Sequence, residues 1–163
     1  MDHQAKTKKI EFMNAYDQWS SAIERHCYLR VFEREKAKDL TQETFKKTWE
    51  YITKGKEIEN LKAFLYRVAN NLIIDESRKK TTVSLDQLYG DDEDENAERG
   101  LIDRLSDPDY TEDRIIDRMD AERVHAALRK LDDPYRQVVM LRYLDGFDPR
   151  EIAEMTGENP NTV

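Results

Sequence analysis

Apolar side chains recur at helical spacing in two stretches between Lys36 and Lys80, and the rest of the chain is arranged around them. At about 100° per residue, the first stretch collects its apolar and small side chains on one arc. This arc contains Ala37, Leu40, Thr41, Thr44, Phe45, Thr48, Trp49 and Ile52. The second stretch is predicted to bury a stripe of Leu61, Phe64, Leu65, Val68, Ala69 and Leu72. The pattern therefore predicts two amphipathic helices joined by a short polar loop.

The polar faces of these two helices differ in chemistry. Opposite the first apolar arc lie Asp39, Gln42, Glu43, Lys46 and Glu50. Outside the second stripe lie Tyr66, Arg67, Asn70, Ile74, Ser77 and Arg78. Arginine attracts phosphate, asparagine reads base edges and tyrosine stacks on bases, so the second face fits a nucleic acid. From periodicity alone, a solvated surface is the alternative for both faces.

Further helical patterns flank this pair. Residues 1–9 are polar and expected to fray, and an amphipathic helix is predicted from Ile10 to about Arg34. Its inward residues are Phe12, Tyr16, Trp19, Ile23 and Cys27. After Asp113, a predicted core stripe contains Ile116, Met119, Val124, Leu128 and Leu131.

The C-terminal part carries start and stop signals for short helices. Asp133-Pro134, Asp148-Pro149 and Asn159-Pro160 are helix openings, whereas Gly146 and Gly157 are stops. This spacing is typical of a helix-turn-helix. With five glycines, four prolines and no alternating β-branched run, the chain is predicted to be all-α.

Charge divides the chain into three segments. The net charge is −8, but residues 1–82 carry 17 Lys/Arg and 13 Asp/Glu, a net of +4. Residues 83–112 carry 2 and 11, a net of −9, and residues 113–163 carry 8 and 11, a net of −3. We therefore predict two small helical domains, 1–82 and 113–163, joined by a flexible acidic linker, 83–112. The local positive charge of the first domain is compatible with nucleic acid.

Several function classes find no support in the sequence. No run of 18 apolar residues and no secretory leader occurs, so we expect a cytoplasmic protein without membrane insertion. The single cysteine, Cys27, is expected to be a buried small hydrophobe. His3, His26 and His125 are isolated, which argues against a metal site. Without a nucleophile–base set or phosphate loop, we expect neither enzymatic activity nor a cofactor.

Three motifs resemble those of one family. DLTQETFKKTW, at Asp39–Trp49, resembles the region-2 helix of bacterial sigma factors, DLxQETFxxxW. FLYRVANNLIIDESR, at Phe64–Arg78, is similar to the promoter-melting helix of that family, WLYRIARNLAIDxxR. Leu131–Val163 resembles the region-4 pattern LPxxxRxVxxLRYxxGxxxxEIAExxGxxxNTV. The short extracytoplasmic-function (ECF) form of the family fits best.

This resemblance implies roles for particular residues. It implies binding of the clamp helices of the largest RNA polymerase subunit through Asp39, Gln42, Glu43, Lys46 and Glu50. It also implies recognition and melting of the −10 promoter element, where the loop Thr53–Asn60 takes up a flipped base. The residues concerned are Lys54, Lys56, Asn60, Tyr66, Arg67, Asn70, Asn71, Ile74 and Arg78. Asn70 departs from the family pattern, because arginine is common at its position.

The printed sequence stops at Val163, one turn into the expected recognition helix. Asn161 and Thr162 lie at the start of that helix, and no −35 contact can be assigned beyond them. We interpret the end as a truncation. The resemblance implies a transcription initiation factor that binds core polymerase and promoter DNA and is controlled by an anti-sigma factor. The alternatives are a sigma-like interaction protein without promoter reading and a helix-turn-helix repressor.

Overall fold

The computed structural model describes residues 3–83, 122–159 and 161. All regular structure in these ranges is helical, which confirms the all-α prediction. The N-terminal unit consists of α1 (His3–Val31), α2 (Arg34–Thr53) and α3 (Leu61–Val83). The C-terminal unit consists of α4 (122–130), α5 (Asp133–Val139, continued by a π-helical turn, Met140–Leu144) and α6 (Pro149–Thr156). The predicted linker, apart from Val83, and the predicted core residues Ile116 and Met119 lie outside the described residues.

The predicted apolar arc of α2 faces the core of the N-terminal unit. Its buried residues are Ala37, Leu40, Thr41, Thr44, Phe45 and Thr48, and Trp49 and Ile52 are half-buried. The hydroxyls of Thr41, Thr44 and Thr48 donate to the carbonyls four residues earlier at 2.7, 2.7 and 2.8 Å. Each buried hydroxyl is thereby satisfied, so these positions serve as core positions at little polar cost.

Helix ends follow local signals in most places. Gly55, with φ of 78°, follows the end of α2, as predicted. Asn60 caps α3, since its side-chain oxygen accepts from the backbone N–H of Ala63 at 3.0 Å. The predicted fraying of residues 1–9 is wrong from His3 onward, where α1 already begins.

The C-terminal unit confirms the predicted stops and two predicted starts, since α5 begins at Asp133-Pro134 and α6 begins at Pro149. Asp148 and Glu151 form a reciprocal capping box at the start of α6, and Gly146 and Gly157 adopt positive φ. The predicted core positions Val124 and Leu131 are wrong, because their side chains are exposed. Instead α4 turns His125 inward, where its ring stacks on Tyr28 of α1.

The two units pack directly against each other. Residues of α1 and α3 share one core with Met140, Leu141, Phe147, Ile152 and Met155 of the C-terminal unit. The ring of Phe147 meets the ring of Tyr66 edge-on, with centroids 4.9 Å apart. As a consequence, the C-terminal unit covers part of α3.

Candidate nucleic-acid and protein interfaces

The outward arc of α2 forms an exposed ridge of mixed charge. Asp39, Gln42, Lys46 and Glu50 are exposed and Glu43 is half-buried, so the predicted polar face is present. The ammonium of Lys46 lies 3.7 Å from the Glu43 carboxylate. Because the opposite arc of α2 is fixed in the core, the ridge is presented on a rigid element. Acidic, amide and basic groups in this order suit a polar partner surface.

The loop between α2 and α3 presents two lysines. Lys54 and Lys56 are exposed, and the ammonium of Lys56 lies 4.9 Å from the ring centroid of Tyr51. Asn60 is exposed as well, but its side-chain oxygen is used in capping α3. The loop therefore places positive charge beside the first turn of α3.

The predicted nucleic-acid face of α3 is divided in two. Arg67, Asn71, Ile74 and Arg78 are exposed, as predicted. Tyr66 and Asn70 are only 1% and 3% exposed, so the prediction that they face solvent is wrong for this structure. On a helical wheel these two residues form the edge of the polar arc next to the core position Ile73. The C-terminal unit covers this edge and leaves the other residues open.

Asp145 is the centre of the contact that covers Tyr66. Its carboxylate is buried and accepts from the Tyr66 hydroxyl at 2.7 Å and from Arg25 at 3.2 Å. Its second oxygen lies 3.3 Å from Nδ1 of His26. The Asp145 backbone carbonyl accepts from the ammonium of Lys62 at 2.8 Å. Groups from both α1 and α3 thus bind one acidic residue of the C-terminal unit, which compensates for burying its charge.

The protonation states follow from this burial. Desolvation raises the pKa of the Tyr66 phenol, and the Asp145 charge raises it further, so the hydroxyl stays a donor. Desolvation lowers the pKa of His26, although its hydrogen bond to Asp145 acts in the opposite direction. His26 is therefore a neutral buried imidazole at neutral pH. Its Nε2 has no hydrogen-bond partner among the described residues.

A second polar cluster fixes Asn70. Two nitrogens of Arg30 donate to the two carboxylate oxygens of Asp133 at 2.9 Å each, and a third donates to Oδ1 of Asn70 at 2.9 Å. Gln137 of α5 also donates to this oxygen, and the Asn70 amide nitrogen donates to the carbonyl of Met155 at 3.5 Å. The planar guanidinium of Arg30 thus bonds at the same time to Asp133 of the C-terminal unit and to Asn70 of the N-terminal unit.

The corner between α1 and α2 provides the third contact. Phe32 adopts φ of 54°, which is unusual for a residue other than glycine. The guanidinium groups of Arg136 and Arg129 lie 4.6 and 5.3 Å from its ring centroid, and the His125 ring meets its edge. Cation–π contacts of this kind add to the apolar packing between the units.

The sequence patterns did not indicate that Arg25, His26, Arg30, Gln137 or Asp145 form contacts between the two units. Asp145 stands just before the Gly146 stop, a position at which an acidic residue is normally a solvated turn residue. Asn161 is exposed, and its backbone N–H donates to the side chain of Asn159 at 2.9 Å. Thr162 lies outside the described residues, so the predicted start of the recognition helix stays a prediction.

In the described part of the chain, no helix is long and apolar enough to cross a membrane. Within the same residues, no group of three or more His, Cys, Asp or Glu side chains is arranged to hold a metal ion.

Two family models match this chain. The model described as Sigma-70 region 2 matches residues 15–82, and the one described as Sigma-70, region 4 matches residues 121–163. Together they include the whole of α2, all of α3 except Val83, and the C-terminal unit.

Individual relatives are similar over most of the chain. RNA polymerase sigma factor SigV of Bacillus subtilis is 28% identical over 139 residues, which are 85% of this chain and 74% of SigV. ECF RNA polymerase sigma factor SigW of the same organism is 29% identical over 155 residues, 93% of this chain and 80% of SigW. For the ECF sigma factor BldN of Streptomyces coelicolor the values are 28% over 153 residues, 93% of this chain and 54% of BldN.

Among solved structures, the sigma factor RpoE in complex with the anti-sigma factor NepR from Bartonella quintana has a similar fold. The TM-score is 0.65 at 18% identity, over 93% of this chain and 86% of that chain. At this identity the likeness concerns the fold.

Proposed function

The chain belongs to the sigma-70 family of RNA polymerase sigma factors, as an ECF member, and on this premise we propose how its surfaces act in transcription initiation. It binds core RNA polymerase and directs it to promoter DNA. Residues 1–82 act as region 2, residues 83–112 as a linker and residues 113–163 as region 4. The family is one of initiation factors rather than enzymes.

The α2 ridge is the polymerase-binding surface. The observation that carries this proposal is the exposure of Asp39, Gln42, Lys46 and Glu50 on a helix whose opposite arc is locked in the core. Asp39 and Gln42 are also positions at which the chain matches the family motif. Their mixture of acidic, amide and basic groups would fix the position in which a helical partner docks, such as the clamp helices of the largest subunit.

The α2–α3 loop and the open part of α3 contact the −10 element. Lys54, Lys56, Arg67 and Arg78 attract the backbone, and Asn60, Asn71 and Ile74 contact the melted strand. Tyr66 and Asn70 join this surface only when the C-terminal unit has moved away. An anti-sigma factor is proposed as a regulator, since NepR forms such a complex with the similarly folded RpoE.

Capture of core RNA polymerase from Bacillus subtilis by the full chain tests this function, with Gln42→Ala as the variant and Lys47→Ala as the matched exposed control. The captured complex is then incubated with a randomised single-stranded 20-nucleotide pool, and the retained sequences are determined. Capture with an enriched −10-like motif supports the proposal. Failure of capture contradicts polymerase binding, and capture without enrichment contradicts promoter reading.

The second candidate function is a sigma-like interaction protein that binds polymerase without reading DNA. The burial of Tyr66 and Asn70 specifically favours it, because both residues are withheld from DNA in this structure. Capture of polymerase without enrichment of any sequence from the pool would support this candidate.

A further inference from the structure

The first turns of α1 carry three lysines, Lys6, Lys8 and Lys9, which we call the α1 row. Because α1 begins at His3, these lysines are held on a regular helix rather than on a frayed end. Lys6 and Lys9 are exposed, and Lys8 is half-buried. Within the described residues none of the three forms an ion pair, whereas three lysines of α2 each pair with a glutamate. In this part of the chain, the charge of the α1 row is therefore available to an anionic ligand.

Aromatic contacts place the α1 row at the end of the N-terminal unit where α2 ends. The ring of Phe12 lies 4.9 Å from that of Trp49. The ring of Tyr16, one turn later in α1, lies 4.8 Å from that of Phe45, one turn earlier in α2, so the two helices run in opposite directions. At about 1.5 Å per residue, α2 continues about 6 Å beyond Trp49, whereas α1 continues about 13 Å beyond Phe12 to its first residue. The α1 row therefore reaches the level at which α2 ends and the α2–α3 loop begins.

The α2–α3 loop and the first turn of α3 lie at this same end. The ring of Tyr51, in the last turn of α2, lies 4.7 Å from that of Phe64, in the first turn of α3, and the ammonium of Lys56 lies beside the Tyr51 ring. Residues 53–60 of the loop have no net charge, because two lysines are offset by two glutamates. Residues 3–9, by contrast, contain three lysines and no acid. The excess of positive charge beside the loop therefore comes from α1 rather than from the loop itself.

We propose that the α1 row binds the phosphate backbone of the single DNA strand that the α2–α3 loop contacts. This role rests on the proposed function of the loop in promoter binding. Lysine ammonium groups attract phosphate without reading the bases. The α1 row therefore adds affinity for every strand alike and leaves the choice of sequence to the loop and α3. It extends the DNA-binding surface onto a helix that carries none of the residues assigned to DNA from the sequence.

The salt dependence of DNA binding by the full chain tests this role. Affinity for the fluorescently labelled, randomised single-stranded pool is measured by anisotropy between about 50 and 200 mM salt. Lys6→Gln/Lys9→Gln removes two charges at exposed positions of the α1 row. Lys47→Gln/Lys130→Gln is the matched control, since it removes two charges at exposed positions outside α1. Lys6→Arg/Lys9→Arg keeps both charges and controls for the change of side chain.

We expect Lys6→Gln/Lys9→Gln to lower the slope of log affinity against log salt by about 1.4, because each phosphate neutralised on a single strand contributes about 0.7. At about 0.1 M salt this corresponds to about 25-fold weaker binding. The loss should be uniform across the sequences of the pool. Helicity and capture of core polymerase should stay as in the parent, because both lysines are exposed and lie outside the α2 ridge. The control variant and the arginine variant should keep the parental slope.

Three results would overturn this role: no binding of the pool by the parent at about 50 mM salt, an unchanged slope for Lys6→Gln/Lys9→Gln, or an equal loss in the control variant. Weaker binding of Lys6→Gln/Lys9→Gln to phosphatidylglycerol vesicles, with the parental slope on DNA, would identify a lipid-binding surface instead and would also overturn it. Failure of the parent to capture polymerase is a separate result that concerns the proposed function, because the salt titration needs no polymerase.

Discussion

The hydroxyl of Tyr66 donates to the carboxylate of Asp145 at 2.7 Å, across a separation of 79 residues in the chain. It joins the helix that matches the promoter-melting motif to the turn that precedes the helix-turn-helix stop at Gly146. Removal of this hydroxyl is the smallest change that weakens the contact between the units.

Tyr66→Phe is expected to destabilise the packed structure by about 1.5–3 kcal/mol, the usual cost of losing a hydrogen bond to a charged acceptor. Urea unfolding followed by circular dichroism measures it. Tyr143→Phe is the control. Because Tyr143 is 80% exposed, removal of its hydroxyl should leave the urea midpoint of unfolding unaltered. Equal midpoints for Tyr66→Phe and the parent would mean that the bond to Asp145 adds nothing to stability.

Stability should fall on acidification because of His26. Burial lowers its pKa below the ordinary value of 6.5, so the unfolded chain binds a proton more readily than the folded chain. The contribution is therefore complete above about pH 7 and declines as the pH falls through 6.5, at no more than about 1.4 kcal/mol per pH unit. Asp145 opposes this shift, whereas Arg25 and Arg30 reinforce it.

The pH effect is measured as the urea midpoint between pH 7.5 and 5.5. His26→Gln should reduce the slope of stability against pH, and His3→Gln, at an exposed residue, should leave the slope as in the parent. A slope unaffected by His26→Gln would assign the pH dependence to other groups.

Cys27 should be unreactive in the folded protein. It is fully buried, and desolvation raises the pKa of its thiol to about 12, so the reactive thiolate is almost absent at pH 8. We expect a thiol-specific reagent to label it only as fast as the N-terminal unit opens, and to label it at once in urea. Rapid labelling without denaturant would show that the α1–α2–α3 core is not closed around Cys27.

Asp39→Ala and Gln42→Ala should each weaken polymerase binding by about 1–2 kcal/mol, or about 5–30-fold, if these side chains lie centrally in the interface. Their thermal stability should remain that of the parent, because both side chains are exposed. Titration of labelled variants with core polymerase gives the affinities. A parallel loss of stability would identify the α2 ridge as structural.

Arg30→Lys should destabilise the contact between the units by about 1–3 kcal/mol. A lysine keeps the charge but cannot bond both oxygens of Asp133 and Asn70 at the same time. Arg34→Lys, on the half-exposed first turn of α2, is the control. If Arg30→Lys and Arg34→Lys unfold alike in urea, the fork geometry at Arg30 is unimportant.

Periodicity and caps predicted the helices of the N-terminal unit and the exposed α2 ridge, because these features depend on neighbours in the sequence. The buried arc of α2 and the caps at Gly55 and Asn60 are examples. The same reasoning placed Tyr66 and Asn70 on the surface. A helical wheel distinguishes polar from apolar arcs, but it does not register a polar arc that is buried by hydrogen bonding to a distant segment.

Val124 and Leu131 show the opposite error. Their apolar side chains are exposed, while His125 is buried against Tyr28. α4 contacts the corner at Phe32 through the ring of His125 and the guanidinium of Arg129. Such contacts use residues that a hydropathy pattern counts as polar, so the pattern alone could not predict them.

The pairing of the Asp145 carboxylate with Arg25 and Tyr66 also limits how freely the halves of such proteins can be exchanged. A chimaera that joins residues 1–82 of this chain to the C-terminal segment of a relative inherits the donors but inherits an acceptor only if the relative carries an acid at the matching position. Without that acid, the buried hydroxyl of Tyr66 lacks its acceptor. The residue that follows Leu144 therefore decides whether two such halves are compatible at this contact.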